Sequence, residues 1–158
     1  MVVFWAQVVD YMVVLFSGSF VGHNHLKGCW EYDVEWCPKY RFSALGKASI
    51  RQDCEVIFYQ IAREKCWSIL ELAILPDPVH VILRCSKPEN PSNILFYLKG
   101  RSSYELFKKH PNLRLRYPKG HLWSRGSFIR NIGADINTQR RYVREQRDIH
   151  QKSLTQFN

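Results

Sequence analysis

The chain has no cysteine pair at C-x-x-C spacing, only two methionines, no G-X-Y period, no internal repeat and no low-complexity tract. The missing motif matters most for chemistry. Five cysteines, Cys29, Cys37, Cys54, Cys66 and Cys85, stand 8, 17, 12 and 19 residues apart, a pattern that fits neither a structural zinc site nor a dithiol redox pair. An odd set of scattered thiols reads as reduced, in a cytoplasmic protein, with Cys54, Cys66 and Cys85 as small buried residues in apolar patterns. Without a G-X-Y period the chain is not fibrous. A clean run of about 20 apolar residues is also missing. Residues 1–24 come nearest, apolar and without one Lys or Arg, but Gln7 and Asp10 interrupt them, and a secretory signal would begin with basic residues. No membrane partner is expected. This N-terminal extension is either packed on the domain or lies upstream of the natural start, which would then fall on a codon other than Met, such as that of Val21 or Leu26. Residues 25–158 are read as one domain.

What is present is enough for a core: 158 residues, 46% of them hydrophobic. Acidic residues are scarce in one place. From Lys99 to Asp148 there are 13 Lys/Arg against 4 acids, while the rest of the chain carries 10 of each, so the whole net charge of +9 lies in that stretch. Tyr104, Phe107, Tyr117, Trp123, Phe128 and Tyr142 interleave with those cations, a mixture suited to phosphates and unstacked bases. The plainer reading is a basic face that keeps the protein soluble.

Trp30, Tyr32, Val34 and Trp36 alternate with Glu31, Asp33, Glu35 and Cys37, the period of a half-buried strand that Pro38 ends. Ile50, Cys54, Ile57, Phe58, Ile61 and Ala62 recur at helical spacing, and a strand-like run follows from Cys66 to Leu75. After the turn Pro76-Asp77-Pro78, a second alternation runs from Val79 to Cys85. Asn93 to about His110 reads as a helix with a weak point at Gly100, Leu122 to Ile132 as a strand, and the chain from about Asn137 as a polar helix capped by Asp135 or Asn137. That order predicts an α+β, ferredoxin-like four-stranded antiparallel sheet with two helices on one face plus a C-terminal helix. Its first and third strands are central, which puts Glu31, Asp33, Glu35 and His80 on one open face.

Five segments in order, EWCPKYR at 35–41, PDPVHVIL at 76–83, YLKGRSSYELF at 97–107, HLWSRGSF at 121–128 and RRYVREQ at 140–146, resemble the motifs of the small single-strand insertion-sequence transposases with one catalytic tyrosine, the IS200-like family of the HUH class. The resemblance implies a metal-dependent enzyme that binds hairpins at element ends, cuts single-stranded DNA, and holds the product as a 5′-phosphotyrosine. It makes Tyr142 the nucleophile, in the C-terminal helix, with Gln146 one turn on as a metal ligand beside His80. A phenol of pKa about 10 attacks poorly near neutrality, so Mg²⁺ or Mn²⁺ would polarise the phosphate. The resemblance also implies DNA contacts by Lys39, Arg41, Lys99, Arg101, Lys108, Lys109, Arg114 and Arg116, and a homodimer that shares Tyr142 between subunits.

One half of the implied metal site departs from the family. Where the family has His-apolar-His, this chain has Pro78-Val79-His80, and proline has no ligating side chain. A carboxylate of Glu31, Asp33 or Glu35 could replace it, or more remotely Glu145 or His150, while His23-Asn24-His25 repeats the spacing in a local loop. Two functions therefore stand: an active transposase, or a catalytically impaired hairpin-binding remnant. An RNA-recognition module shares the strand order, but it would need aromatics on the central strands where this chain has acids.

Overall fold

The computed structural model describes residues 30–41, 43–132 and 136–155; of residues 41 and 153–155 it describes the backbone alone. The extension at 1–24, the His23-Asn24-His25 triplet, Cys29 and the Asp135 cap lie outside the described residues. Four strands, β1 (Trp30–Pro38), β2 (Trp67–Ile74), β3 (Val79–Cys85) and β4 (Trp123–Asn131), form an antiparallel sheet in the order β2-β3-β1-β4. This is the predicted ferredoxin-like arrangement, with β1 and β3 central.

Alternation explains which side of β1 faces inward. Tyr32, Val34 and Trp36 are buried against α1 (Ala48–Glu64), whose Ile50, Cys54, Ile57, Phe58 and Ile61 form one apolar stripe. The sheet and helix layers close the main core with Ile94 of α2 (Pro91–Leu95) and Leu106 of α3 (Ser102–Lys109). Between α2 and α3 the chain makes a π turn, Phe96–Arg101, which holds the weak point expected at Gly100. A short helix absent from the sequence reading, α4 (Pro111–Leu115), follows at the proline.

The second face of the sheet carries the last helix, α5 (Ile136–Thr155), which packs on β2 and β3. Here the expectation of an open face is corrected: Glu31, Asp33 and His80 do share it, but α5 and neighbouring side chains leave them 2%, 2% and 3% exposed. A small apolar cluster, Ala73, Ile82, Ile132 and Val143, seats the helix. Cys66 also departs from expectation, since it is exposed in the turn before β2 with a φ of 56° instead of buried.

Asp53 on α1 ties the helical layer together, accepting hydrogen bonds from Lys109 Nζ at 2.7 Å and His110 Nε2 at 2.8 Å. The Lys109 hydrogen bond outweighs partial burial, and with His110 it holds the Asp53 carboxyl below its ordinary range. A depressed folded pKa contributes stability above the unfolded value, about 4, and that stability is lost as pH falls through the folded pKa. Thermal melts between neutral pH and about pH 3 should therefore show a shallower acid limb for Asp53→Asn, and an acid limb unchanged from the parent would contradict the assignment.

Candidate active site

Tyr142, Gln146 and His80 meet where α5 lies over β3. The Tyr142 and His80 rings stand edge to face, centroids 6.2 Å apart at 71°, and Tyr142 keeps 52% of its surface exposed. Gln146, one turn along the same helix, places Oε1 3.3 Å from His80 Nδ1. On the other side of the ring, His80 Nε2 donates to Asp33 Oδ1 in a very short contact, and Asp33 Oδ2 accepts from Arg130 Nε at 3.2 Å. A single chain of polar contacts thus runs Gln146, His80, Asp33, Arg130 across the sheet.

Asp33 Oδ1 takes the Nε2 side of the His80 ring, and the Gln146 amide faces Nδ1. Burial alone would lower the His80 pKa, but the Asp33 hydrogen bond and charge, helped by Gln146 and Glu35, hold it above the ordinary histidine value. Burial likewise acts to raise Asp33, and the His80 contact, then Arg130, holds its carboxyl below the usual range. Pro78 stands at the β2–β3 hairpin, where its carbonyl accepts from Leu75 N–H at 3.0 Å and its ring offers no donor atom. Glu31 is committed to Arg84, at 2.6 and 2.8 Å, and Glu145 is exposed beside Arg141. No group of three His, Cys, Asp or Glu side chains among the described residues could hold a metal ion. Of the ligands the resemblance implies, the fold brings His80 and Gln146 together, and Pro78 supplies none.

Alternation in the sequence puts Asp33 on the same face as His80, as one of the carboxylates that could replace the missing ligand. Its role as the hydrogen-bond partner of His80 had no local signal, because the pairing crosses two strands. The same holds for Arg130, which stands opposite Asp33 in the β1–β4 register. Phe128, opposite Glu35, adds a half-exposed aromatic to this face, though on the edge strand and not on the central pair.

The basic residues divide into two groups. Lys99 reaches across to β4, donating to Ser127 Oγ at 2.6 Å and to the carbonyls of Gly126 at 3.3 Å and Arg125 at 3.4 Å. Arg101 is paired with Glu64 and Lys109 with Asp53, so these three tie helices to their neighbours. Lys39 lies 4.9 Å from the Tyr40 ring centre, and Arg41 belongs to the turn after β1. Lys108 and Arg114 instead border an open cleft of about 500 Å³ with Tyr104, Phe107 and Gly120. In it the Arg114 guanidinium stacks 5.2 Å over Phe107, and Tyr104 is 66% exposed. Gly120 has φ 71°, and a Cβ there would come within 2.8 Å of the Arg114 guanidinium. Arg116 borders a second cleft, of about 370 Å³, with Lys47, Ser49 and Asn112.

Comparison with known proteins follows the same residues. The chain is 26% identical over 119 residues to the ISDra2 transposase TnpA of Deinococcus radiodurans, covering 75% of this chain and 84% of that one. It is 26% identical over 122 residues to the transposase for insertion sequence element IS200 of Salmonella typhimurium, covering 77% and 80%. Among solved structures, a transposase from Deinococcus radiodurans superposes with a TM-score of 0.64 at 24% identity, over 79% of this chain and 95% of that one. A REP-associated tyrosine transposase bound to a REP hairpin superposes with a TM-score of 0.50 at 16% identity, over 79% and 70%. The sequence profile described as "Transposase IS200 like" matches residues 29–146, a span that takes in all four strands and ends at Gln146, and the chain belongs to that family of transposases.

Proposed function

We propose that this transposase binds DNA hairpins at the ends of its element and cleaves and rejoins single-stranded DNA, with Tyr142 as nucleophile. The observation that carries the reading is the meeting of Tyr142 with His80 and Gln146, with half of the tyrosine open to solvent. In the cleavage step the Tyr142 oxygen bonds to phosphorus and gives up its proton, while the bond to the 3′-oxygen breaks and that oxygen leaves as a hydroxyl. The phosphodiester energy stays in the tyrosyl ester, so the reverse attack rejoins strands without ATP. The basic groups this chain brings to the site are His80 and, through Asp33, Arg130. With Nε2–H donated to Asp33, a neutral His80 would present its Nδ1 lone pair beside Gln146 Oε1, and these two residues would hold a divalent ion that polarises the phosphate.

Lys108 and Arg114, beside Tyr104 and Phe107, suit a backbone phosphate next to an unpaired base. The hairpin bound by the REP-associated neighbour supports the same substrate class. A homodimer in the cytoplasm completes the proposal, and β4, an edge strand with mostly exposed side chains, is a surface that suits a second copy. No helix among the described residues is long and apolar enough to cross a membrane.

A second reading has its own observation. Pro78 and the engagement of both His80 nitrogens favour a remnant that binds hairpins without cutting them. One assay separates the two: purified protein is mixed with a 5′-extended hairpin from its element ends, with Mn²⁺, with Mg²⁺ and with neither, beside Tyr142→Phe and Pro78→His. The first reading expects a denaturant-resistant adduct in the parent that Tyr142→Phe loses completely. An adduct seen only in Pro78→His would leave the second.

A further inference from the structure

We infer that Glu71 is a positioning residue for Tyr142, fixing the rotation of α5 about its own axis; the functional side of this inference rests on the reading of Tyr142 as nucleophile. Glu71 projects from β2 on the face that carries His80, two residues from Ala73, whose partner across β2–β3 is His80. Its side chain is 6% exposed, and its Oε1 accepts from Arg144 Nη2 at 2.5 Å and from Arg140 at 3.3 Å. Those two arginines flank Tyr142 in sequence, two residues before it and two after.

The apolar seat of α5 is small. Val143 is the helix's buried residue in it, against Ala73, Ile82 and Ile132, with Ile136 partly buried at the rim. Among the described residues Val143 is the only fully buried side chain of this helix, so the apolar seat by itself constrains rolling weakly. At about 100° per residue, Tyr142 and Arg144 lie on opposite sides of Val143. Arg140 falls on the Arg144 side and Gln146 on the Tyr142 side. The ion pairs therefore hold one flank of α5 to β2, and the opposite flank is thereby turned toward β3, where Tyr142 and Gln146 meet His80. A buried carboxylate without its guanidinium partners is strongly disfavoured, which makes the anchor resist rolling in either direction.

The test uses the full chain with Glu71→Gln and Glu71→Ala, and reads hydrogen exchange by mass spectrometry alongside adduct formation and hairpin affinity. Exchange in residues 136–155 should rise about tenfold or more while the sheet and α1 keep parental protection. Adduct formation should fall by about a hundredfold, as expected when a nucleophile loses its placement, with hairpin affinity unchanged. Reversing the charges, Glu71→Arg with Arg140→Glu and Arg144→Glu, should restore protection of α5. Unchanged exchange in α5, or exchange rising equally throughout the domain, would overturn the inference. If the parent forms no adduct but the Glu71 variants still loosen α5 alone, the anchor stands and the nucleophile reading fails.

Discussion

Asp33→Ala is expected to destabilise the domain by about 3–5 kcal/mol, the usual cost of removing one member of a buried ion pair. The side chains of Asp33 and His80 are 3% and 4% exposed, so water cannot replace the lost carboxylate at His80 Nε2. Arg130 is different. Its side chain is 46% exposed and can turn to solvent, so most of the cost belongs to His80. The distinction is testable by a double-mutant cycle in urea. Replacing both partners with leucine should recover much of the loss, because two apolar groups leave no buried charge behind. Arg130→Ala should cost less than about 1 kcal/mol, as for exposed pairs. A loss below about 1 kcal/mol for Asp33→Ala, with no coupling to His80, would show that the buried pair does not hold β1 to β3.

Trp36→Ala should cost a similar amount, about 3–5 kcal/mol, by a different route. Trp36 is 2% exposed and packs edge to face against Phe58, at 5.5 Å and 88°, and Trp123, at 5.8 Å and 85°. It thus joins β1 to both α1 and β4, and its removal opens a cavity at the centre of the main core. Among the described residues the indole N–H has no hydrogen-bond partner. Trp36→Phe should consequently lose less, about 1–2 kcal/mol, since a smaller cavity is partly offset by deleting a buried donor left unpaired. The two variants should share the parental denaturant slope and differ in midpoint. Equal losses in both would mean that the indole ring beyond the phenyl contributes nothing, contrary to the packing.

The two effects bear on function through one strand. Trp36 and Asp33 lie on opposite faces of β1, one in the core with α1, the other in the polar chain beneath α5. Both changes should weaken the whole domain, and changing Asp33 should in addition alter the polar chain beside Tyr142.

Much of this was legible in the primary structure. Strict alternation over residues 30–36 and the helical spacing from Ile50 to Ala62 each pick one buried face, and short connections leave few ways to join four strands and two helices. Tyr142 and Gln146, four residues apart, share a helix face by geometry alone. The sequence also located the charge excess between Lys99 and Asp148. Periodicity, however, says which side of a strand is polar and not what covers it. Only the folded chain decided that α5 closes the acidic face, that Asp33 and Gln146 take both nitrogens of His80, and that Glu71 draws in Arg140 and Arg144. The same is true of the intramolecular partners of Lys99, Arg101 and Lys109, which are bonded to β4, Glu64 and Asp53. Each of these contacts joins residues 28 to 73 positions apart. Local pattern determines elements and their faces, while the choice among distant polar partners is made by packing, which brings them within reach and removes the water that would otherwise satisfy them.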